Sequence, residues 1–187
     1  MTKLPDGYRA AERIELLKDD KMVSRLLLVS VAVTAIAIVA GFIVAPFSVR
    51  LIGHNWPILT TIIAFALAYG LLVLIHELVH GFFMKRFSGA RVKYGFRLTY
   101  AYAASAAYFN KRQYIIISLA PVIFIGVFLL ALCIILPVEW FWSIHIMQII
   151  NVSCAAGDIF MAYYIRRQPD GVLIQDDGPV MSLYLND

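Results

Sequence analysis

Long uninterrupted apolar segments dominate the pattern of hydrophobic and polar positions along this chain. Four of them reach the roughly 20 residues that an α-helix needs to cross the hydrocarbon core of a bilayer. They cover about residues 26–47, 56–84, 114–137 and 141–165. The polar residues before them, 1–25, are helix-like and are not typical of a cleavable signal peptide. The pattern predicts an α-helical integral membrane protein with four transmembrane helices, and we expect residues 1–187 to form a single membrane domain.

A short alternating pattern interrupts the apolar segments between the second and the third. Residues 91–100 alternate aromatic and β-branched residues with basic ones, which is typical of a strand. Residues 101–107 are rich in small side chains and favour a second, flatter strand or a loop. We therefore expect a small β element over about residues 91–108. The C-terminal tail, 168–187, has the pattern of a strand, a turn and a strand, and we expect it to fold back onto that element.

Composition supports the membrane assignment. The chain is 61% hydrophobic and 15% charged, with a mean hydropathy of +0.80. Soluble domains carry roughly 25% charged residues, so this chain has too few charges to coat a water-facing surface. Its hydrophobicity excludes a disordered chain. Cys133 and Cys154 both lie in apolar segments, which argues against a secreted domain held by disulfides.

The basic residues indicate the orientation of the helices. The net charge is +4, and 15 of the 16 lysine and arginine residues fall on the side that holds both termini and the predicted β element. By the positive-inside rule this side is the cytoplasm, so both termini and the β element are expected at the cytoplasmic interface. The excess of basic over acidic residues thus indicates contact with the lipid bilayer and its anionic lipids. It does not indicate a nucleic-acid partner.

Five ionisable residues lie within the apolar segments, where each costs about 2.5–3.5 kcal/mol on insertion scales. They are His76, Glu77, His80, His145 and Asp158. Three of them form the motif His-Glu-Leu-Val-His, whose two histidines share one helix face and can bind one zinc ion. Glu77, between them, can act as a general base toward water. His145 lies near the outer end of its segment and is expected to be a satisfied histidine and not a ligand.

A catalytic zinc site needs three protein ligands and an open position. The third ligand must lie at the same depth in the membrane as the two histidines. His76 and His80 lie 10 and 6 residues before Arg86, at the inner end of the second segment. Asp158 lies 8 residues before Arg166, at the inner end of the fourth. At about 1.5 Å per residue all three lie roughly 9–15 Å from the cytoplasmic interface. We therefore predict Asp158 as the third zinc ligand.

Three other residues lie near the depth of the predicted zinc site. Cys154 is one turn from Asp158 on the same face and is a weaker alternative ligand. Pro121 leaves one backbone carbonyl of the third segment without its helical partner near the depth of the zinc site. Asn151 shares a face with Asp158 and is expected either to bind substrate or to pack against a neighbouring helix.

The order of these features resembles the site-2 protease family of intramembrane zinc metalloproteases. The resemblance rests on the zinc motif inside a span, an interfacial β segment, the sequence Ser-Leu-Ala-Pro at 118–121, and Asn151 leading to Gly157 and Asp158. It covers about residues 70–165 and is nearest to the small bacterial membrane proteins grouped as zincin peptidases. Two features depart from the pattern: no proline lies between Asn151 and Asp158, and the residue directly after Asp158 is isoleucine and not glycine.

The resemblance implies a function and a location. It implies that His76, His80 and Asp158 bind zinc, that Glu77 is the catalytic base, and that an extended substrate pairs with the β segment. The expected activity is hydrolysis of peptide bonds in membrane or membrane-associated proteins near the cytoplasmic face of a bacterial cytoplasmic membrane. Two alternatives stay open: a zinc-binding membrane protein without protease activity, and a carrier of protons or metal ions. The outer halves of the spans contain few polar residues, which argues against a path across the whole bilayer.

Overall fold

A helical bundle with an antiparallel sheet at one end forms the structure, a computed structural model that describes residues 1–15, 18–47, 57–97 and 100–186. The helices are α1 (Asp20–Val44), α2 (Ile58–Ser88), α3 (Lys111–Ile135), α4 (Phe141–Cys154) and α5 (Ala156–Arg166). The strands are β1 (Tyr8–Ile14), β2 (Lys93–Arg97), β3 (Tyr100–Asn110), β4 (Leu173–Asp176) and β5 (Met181–Asn186).

Three of the helices, α1, α2 and α3, are each long and apolar enough to cross a membrane. The first begins at Asp20, six residues before the predicted span, because the side chain of Asp19 accepts hydrogen bonds from the backbone N–H groups of Lys21 and Met22 and caps the helix. The predicted start of the second span, with Trp56 and the nearby His54, lies outside the described residues.

The fourth predicted span, 141–165, is not one continuous helix. It consists of α4 and α5, which meet at Ala155 with a bend of 43° and together are long and apolar enough for one span. Asn151 and Ala155 still share a backbone hydrogen bond, but the dihedrals of Ala155 (φ −80°, ψ 9°) leave the helical region. Ser153 and Gly157, two residues before and after Ala155, favour helices weakly, whereas Ala155 and Ala156 favour them strongly, so local propensity alone does not account for the break.

The sheet has the strand order β1-β5-β4-β3-β2, and every neighbouring pair is antiparallel. The tail folds back as expected, since Ile174 of β4 pairs with Phe109 of β3. The strand predicted over residues 91–100 is shorter in the structure, where β2 covers Lys93–Arg97 and Tyr100 already belongs to β3. Leu98 and Thr99 lie outside the described residues.

The N-terminal residues correct a second expectation. Residues 8–14 have a helix-like pattern, but they form β1 and pair with β5, with Ile14 opposite Met181. Strand formation depends strongly on the partner that a segment meets, and here the partner lies about 170 residues further along the chain. A local pattern carries no information about that pairing.

Two clusters of buried apolar side chains hold the fold together. The first joins the sheet to the adjoining ends of α2, α3 and α5 and includes Met84, Phe109, Ile117, Ile165 and Ile174. The second lies between α2, α3 and α4 and includes Leu72, Ile125, Leu129, Ile144 and Met147. Helix α1 stays outside both, and Gly41 is the only one of its residues that is buried.

A glycine in the β4–β5 turn offers a test of the sheet. Gly178 has φ +85°, and a Cβ added there would meet the ring of Tyr102 on β3. Gly171, before β4, has a similar φ of +93°, but the nearest atom to a Cβ there is 3.9 Å away. Both changes to alanine strain the backbone, whereas only the first also crowds the ring.

We expect Gly178→Ala to be the more destabilising substitution by about 1–3 kcal/mol, the usual cost of overpacking. The comparison is made by thermal or denaturant unfolding of both variants in the same detergent. Equal losses of stability in the two variants would show that Tyr102 does not rest on the turn as described.

Candidate metal centre

Two histidines on one turn of α2 form the centre of the candidate site. His76 and His80 are four residues apart and therefore lie on the same helix face. Both are buried, with 9% and 8% of their surfaces exposed. Their Nε2 atoms are 3.2 Å apart. Two imidazoles thus direct their outer nitrogens toward one point.

The first turn of α5 supplies a carboxylate to the same point. Asp158 Oδ2 lies 3.0 Å from Nε2 of His76, and Oδ1 lies 3.5 Å from Nε2 of His80. One ligand atom from each of these three residues falls within 4.8 Å of the others. The structure therefore brings together the three side chains that were predicted as ligands. Their binding of a metal stays a prediction.

The spacing and chemistry of this group fit zinc. Two ligands about 2.0–2.1 Å from a tetrahedral ion are roughly 3.3 Å apart, which is close to the observed separations. The Nδ1 of His80 lies 2.8 Å from the carbonyl oxygen of Ile117 and donates to it. In neutral imidazole this leaves the lone pair of Nε2 directed at the centre.

The carbonyl that orients His80 is available because of a proline. Pro121 lies inside α3, four residues after Ile117, and has no N–H to donate to the Ile117 carbonyl. The sequence predicted a freed carbonyl near this depth, and the structure shows it bonded to His80. Helix α3 thus fixes the ring of a residue on α2.

Glu77 lines a cavity that also reaches the candidate centre. The cavity has a volume of about 450 Å³ and is also lined by His80 and Asp158. The backbone of Ala103, on β3, lies beside the Glu77 carboxylate. Glu77 is not one of the three grouped residues, so its carboxylate is available for proton transfer beside them.

Strand β2 lies close to the same turn of α2. The ring of Tyr94 rests on Gly81, the residue after His80, and a Cβ at Gly81 would collide with that ring. Strand β2 is at the end of the sheet and pairs only with β3 among the described strands. Its other edge is therefore open among the described strands, while the strand residues from 100 to 103 that line the cavity belong to β3.

The remaining predicted candidates lie in other environments. Cys154 lines the cavity but does not belong to the grouped residues. The Nε2 of His145 donates to the carbonyl of Ala37 on α1, at 2.8 Å, so this histidine has a structural partner. Asn151 is fully buried and donates from Nδ2 to the carbonyl of Val122 on α3, which places it in helix packing.

One residue of the cavity wall was not singled out from the sequence. Asp176, at the end of β4, accepts hydrogen bonds from the hydroxyl of Tyr114 and from the backbone N–H of Gly178, both at 2.8 Å. Burial raises the pKa of Asp176 to about 6, against the effect of these two donors. The sequence around it, Asp-Asp-Gly-Pro, is typical of a turn, and no local signal indicates that the side chain faces a cavity.

The orientation of His80 leads to a test at Pro121. Changing Pro121 to alanine restores an N–H that competes for the Ile117 carbonyl, so His80 loses part of its orienting bond. We expect Pro121→Ala to weaken zinc affinity by about 10- to 100-fold, the usual effect of losing such a partner. Zinc affinity is measured by competition with a chelator. Val122→Ala, which trims the next side chain and adds no N–H, is the control; unchanged affinity in Pro121→Ala would refute the role of the carbonyl.

Comparison with known proteins adds an assignment that geometry alone does not give. Searches among curated proteins and among solved structures find no match. A family model described as "Putative zincin peptidase" matches residues 69–173, which is 105 of the 187 residues. The matched region contains the His-Glu-Leu-Val-His motif, Pro121 and Asp158. Since the match covers more than half of the chain, this protein belongs to that zincin peptidase family.

Proposed function

We propose that this protein is an intramembrane zinc metalloprotease of the site-2 protease type, which hydrolyses peptide bonds of membrane or membrane-associated proteins near the cytoplasmic face. The family assignment supports the coarser statement, a zinc metallopeptidase. The intramembrane part rests on the long apolar helices and on the position of the candidate centre within them.

One observation carries the proposal. His76, His80 and Asp158 form a compact group, and Glu77 lies on the wall of the cavity that reaches this group. Hydrolysis requires three ligands, a base outside the ligand set and room for a substrate. A purely structural metal site would need neither the base nor the cavity.

Each residue of the candidate centre has a separate role in the proposed hydrolysis. Zinc, when bound, would supply Lewis acidity that lowers the pKa of a water molecule toward about 7 and polarises the scissile carbonyl. His76, His80 and Asp158 would hold the ion, and Ile117 keeps His80 in the required orientation. Glu77 takes a proton from the attacking water and delivers it to the departing amine.

The edge of the sheet suggests how a substrate is presented. A peptide bond inside a helix is shielded by the hydrogen bonds of that helix, so a membrane-spanning substrate must unwind before cleavage. The free edge of β2 can pair with the extended segment by β-augmentation. The contact between Tyr94 and Gly81 supports this proposal, because it joins β2 to the turn of α2 that carries His80.

The role of Glu77 separates the protease from the alternatives. Glu77→Gln keeps the volume of the side chain and removes the base. We expect this variant to retain nearly all of its zinc and to lose about 10²–10⁴-fold of its activity, the usual contribution of general acid–base catalysis. Zinc content and cleavage of a library of single-span membrane peptides in lipid vesicles are measured side by side.

Matched variants make this result specific. Glu139→Gln makes the same change in an exposed residue before α4 and should leave both zinc and activity unchanged. His80→Ala should lose both. If Glu77→Gln cleaves as fast as the wild type, Glu77 is not the base of the reaction. If the zinc-loaded wild type cleaves none of the peptides, the protease proposal fails and a structural or transport role takes its place.

A further inference from the structure

The aspartate and glutamate side chains on the cavity wall have no basic counterpart from lysine or arginine among the described residues. Among the described residues that line it, the charged ones are Glu77, Asp158 and Asp176, and neither lysine nor arginine is present. Most of the remaining lining is apolar or aromatic, with Met84, for example, on α2. Charges in such surroundings interact more strongly than they do in bulk water.

The proposed metal leaves one of these charges unbalanced. A zinc ion carries two positive charges, which offset the carboxylates of Asp158 and Glu77. The carboxylate of Asp176 remains, so the loaded cavity keeps one surplus negative charge at its sheet side. This step rests on the function proposed above. The surplus charge would favour a positive group on whatever molecule enters the cavity.

Asp176 is held in place for such a contact. Its Oδ2 accepts from Tyr114 on α3, and its Oδ1 accepts from Gly178 in the following turn. An ionised carboxylate offers about four lone-pair sites, so these two bonds leave acceptor capacity on both oxygens. The pKa of Asp176, about 6, also lies below pH 7, so the ionised form is favoured there.

We propose that Asp176 is a specificity-determining residue that binds a lysine or arginine side chain of the peptide substrate. Membrane proteins concentrate these residues at the cytoplasmic ends of their spans. In the proposed orientation, the sheet that carries Asp176 lies at that end. An extended peptide advances about 3.3 Å per residue, so a basic residue a few positions on the cytoplasmic side of the scissile bond reaches the sheet.

Paired peptides test this preference. We use pairs of single-span peptides in phosphatidylcholine vesicles. The two peptides of a pair differ at one position on the cytoplasmic side of the scissile bond, where one carries lysine and the other glutamine. For at least one of the varied positions, the wild type should cleave the lysine peptide with a kcat/KM at least about 10-fold higher than that of the glutamine peptide. A difference of this size is expected for a desolvated charge pair. Asp176→Asn, which keeps the shape of the side chain, should reduce the ratio to within about 2-fold.

Two control variants locate the effect. Asp177→Asn removes the same charge from the exposed neighbouring residue and should keep the wild-type ratio. Asp176→Glu retains the charge and should keep most of the preference. Since each ratio compares two peptides on one preparation, a smaller folded fraction in any variant cancels out.

A second readout does not depend on activity. Cys154 is exposed and lines the cavity, so a bound peptide should slow its alkylation by a maleimide. In the wild type, the lysine peptide should protect Cys154 at a concentration about 10-fold lower than the glutamine peptide requires. In Asp176→Asn, the two peptides should protect Cys154 at the same concentration.

The results separate this inference from the function on which it rests. Cleavage of both peptides without a preference, or a preference that survives Asp176→Asn, would overturn the role of Asp176 and leave the protease intact. Absence of cleavage of both peptides by the zinc-loaded wild type would overturn the protease itself. Selective protection of Cys154 by the lysine peptide would then still support a basic ligand at Asp176.

Discussion

Polar side chains inside an apolar bundle must find partners among themselves, and this constraint organises the candidate centre. His80 shows it most clearly. Its Nδ1 donates to the carbonyl of Ile117, while its Nε2 faces His76 and Asp158. A buried imidazole without these partners would leave one donor and one acceptor unsatisfied, at a cost of about 1–3 kcal/mol for each. The residues around it therefore act as one unit drawn from three helices.

Two irregularities in the helices make this unit possible. Pro121 frees the carbonyl that His80 uses, and the break at Ala155 starts a new helix whose first turn carries Asp158. Each irregularity would weaken an ordinary helix. Here both lie next to the candidate centre, which is where proteins commonly place local deviations that serve a site.

The sheet gives the bundle a closed end and the cavity a wall. The tail supplies β4 and β5, which join β1 to β3 and β2 in one sheet. Helix α1 borders the cavity from the other side and is attached to α4 by polar contacts, such as the 3.1 Å bond from Ser30 Oγ to the carbonyl of Ser153. A substrate would meet a rigid sheet on one side and a lightly packed helix on the other.

The sequence predicts much of this because long apolar segments, and the few ionisable residues within them, are local features. Apolar length predicts the spans, and the depth of Asp158 below Arg166 matches the depth of the two histidines closely enough to bring all three together. Non-local features escape such rules. The strand at 8–14 depends on a partner near the C-terminus. The position of Asp176 depends on its pairing with Ser105, beside an irregularity in the register of β3.

The most direct test of the central claim is X-ray absorption spectroscopy at the zinc edge on the purified, zinc-loaded protein. The account predicts two imidazole nitrogens at about 2.0–2.1 Å and carboxylate or water oxygens at about 2.0–2.2 Å in a four-coordinate shell. A sulfur ligand at about 2.3 Å would contradict it and indicate Cys154 as a ligand. A shell without imidazole scattering would show that the histidines of α2 do not bind the metal.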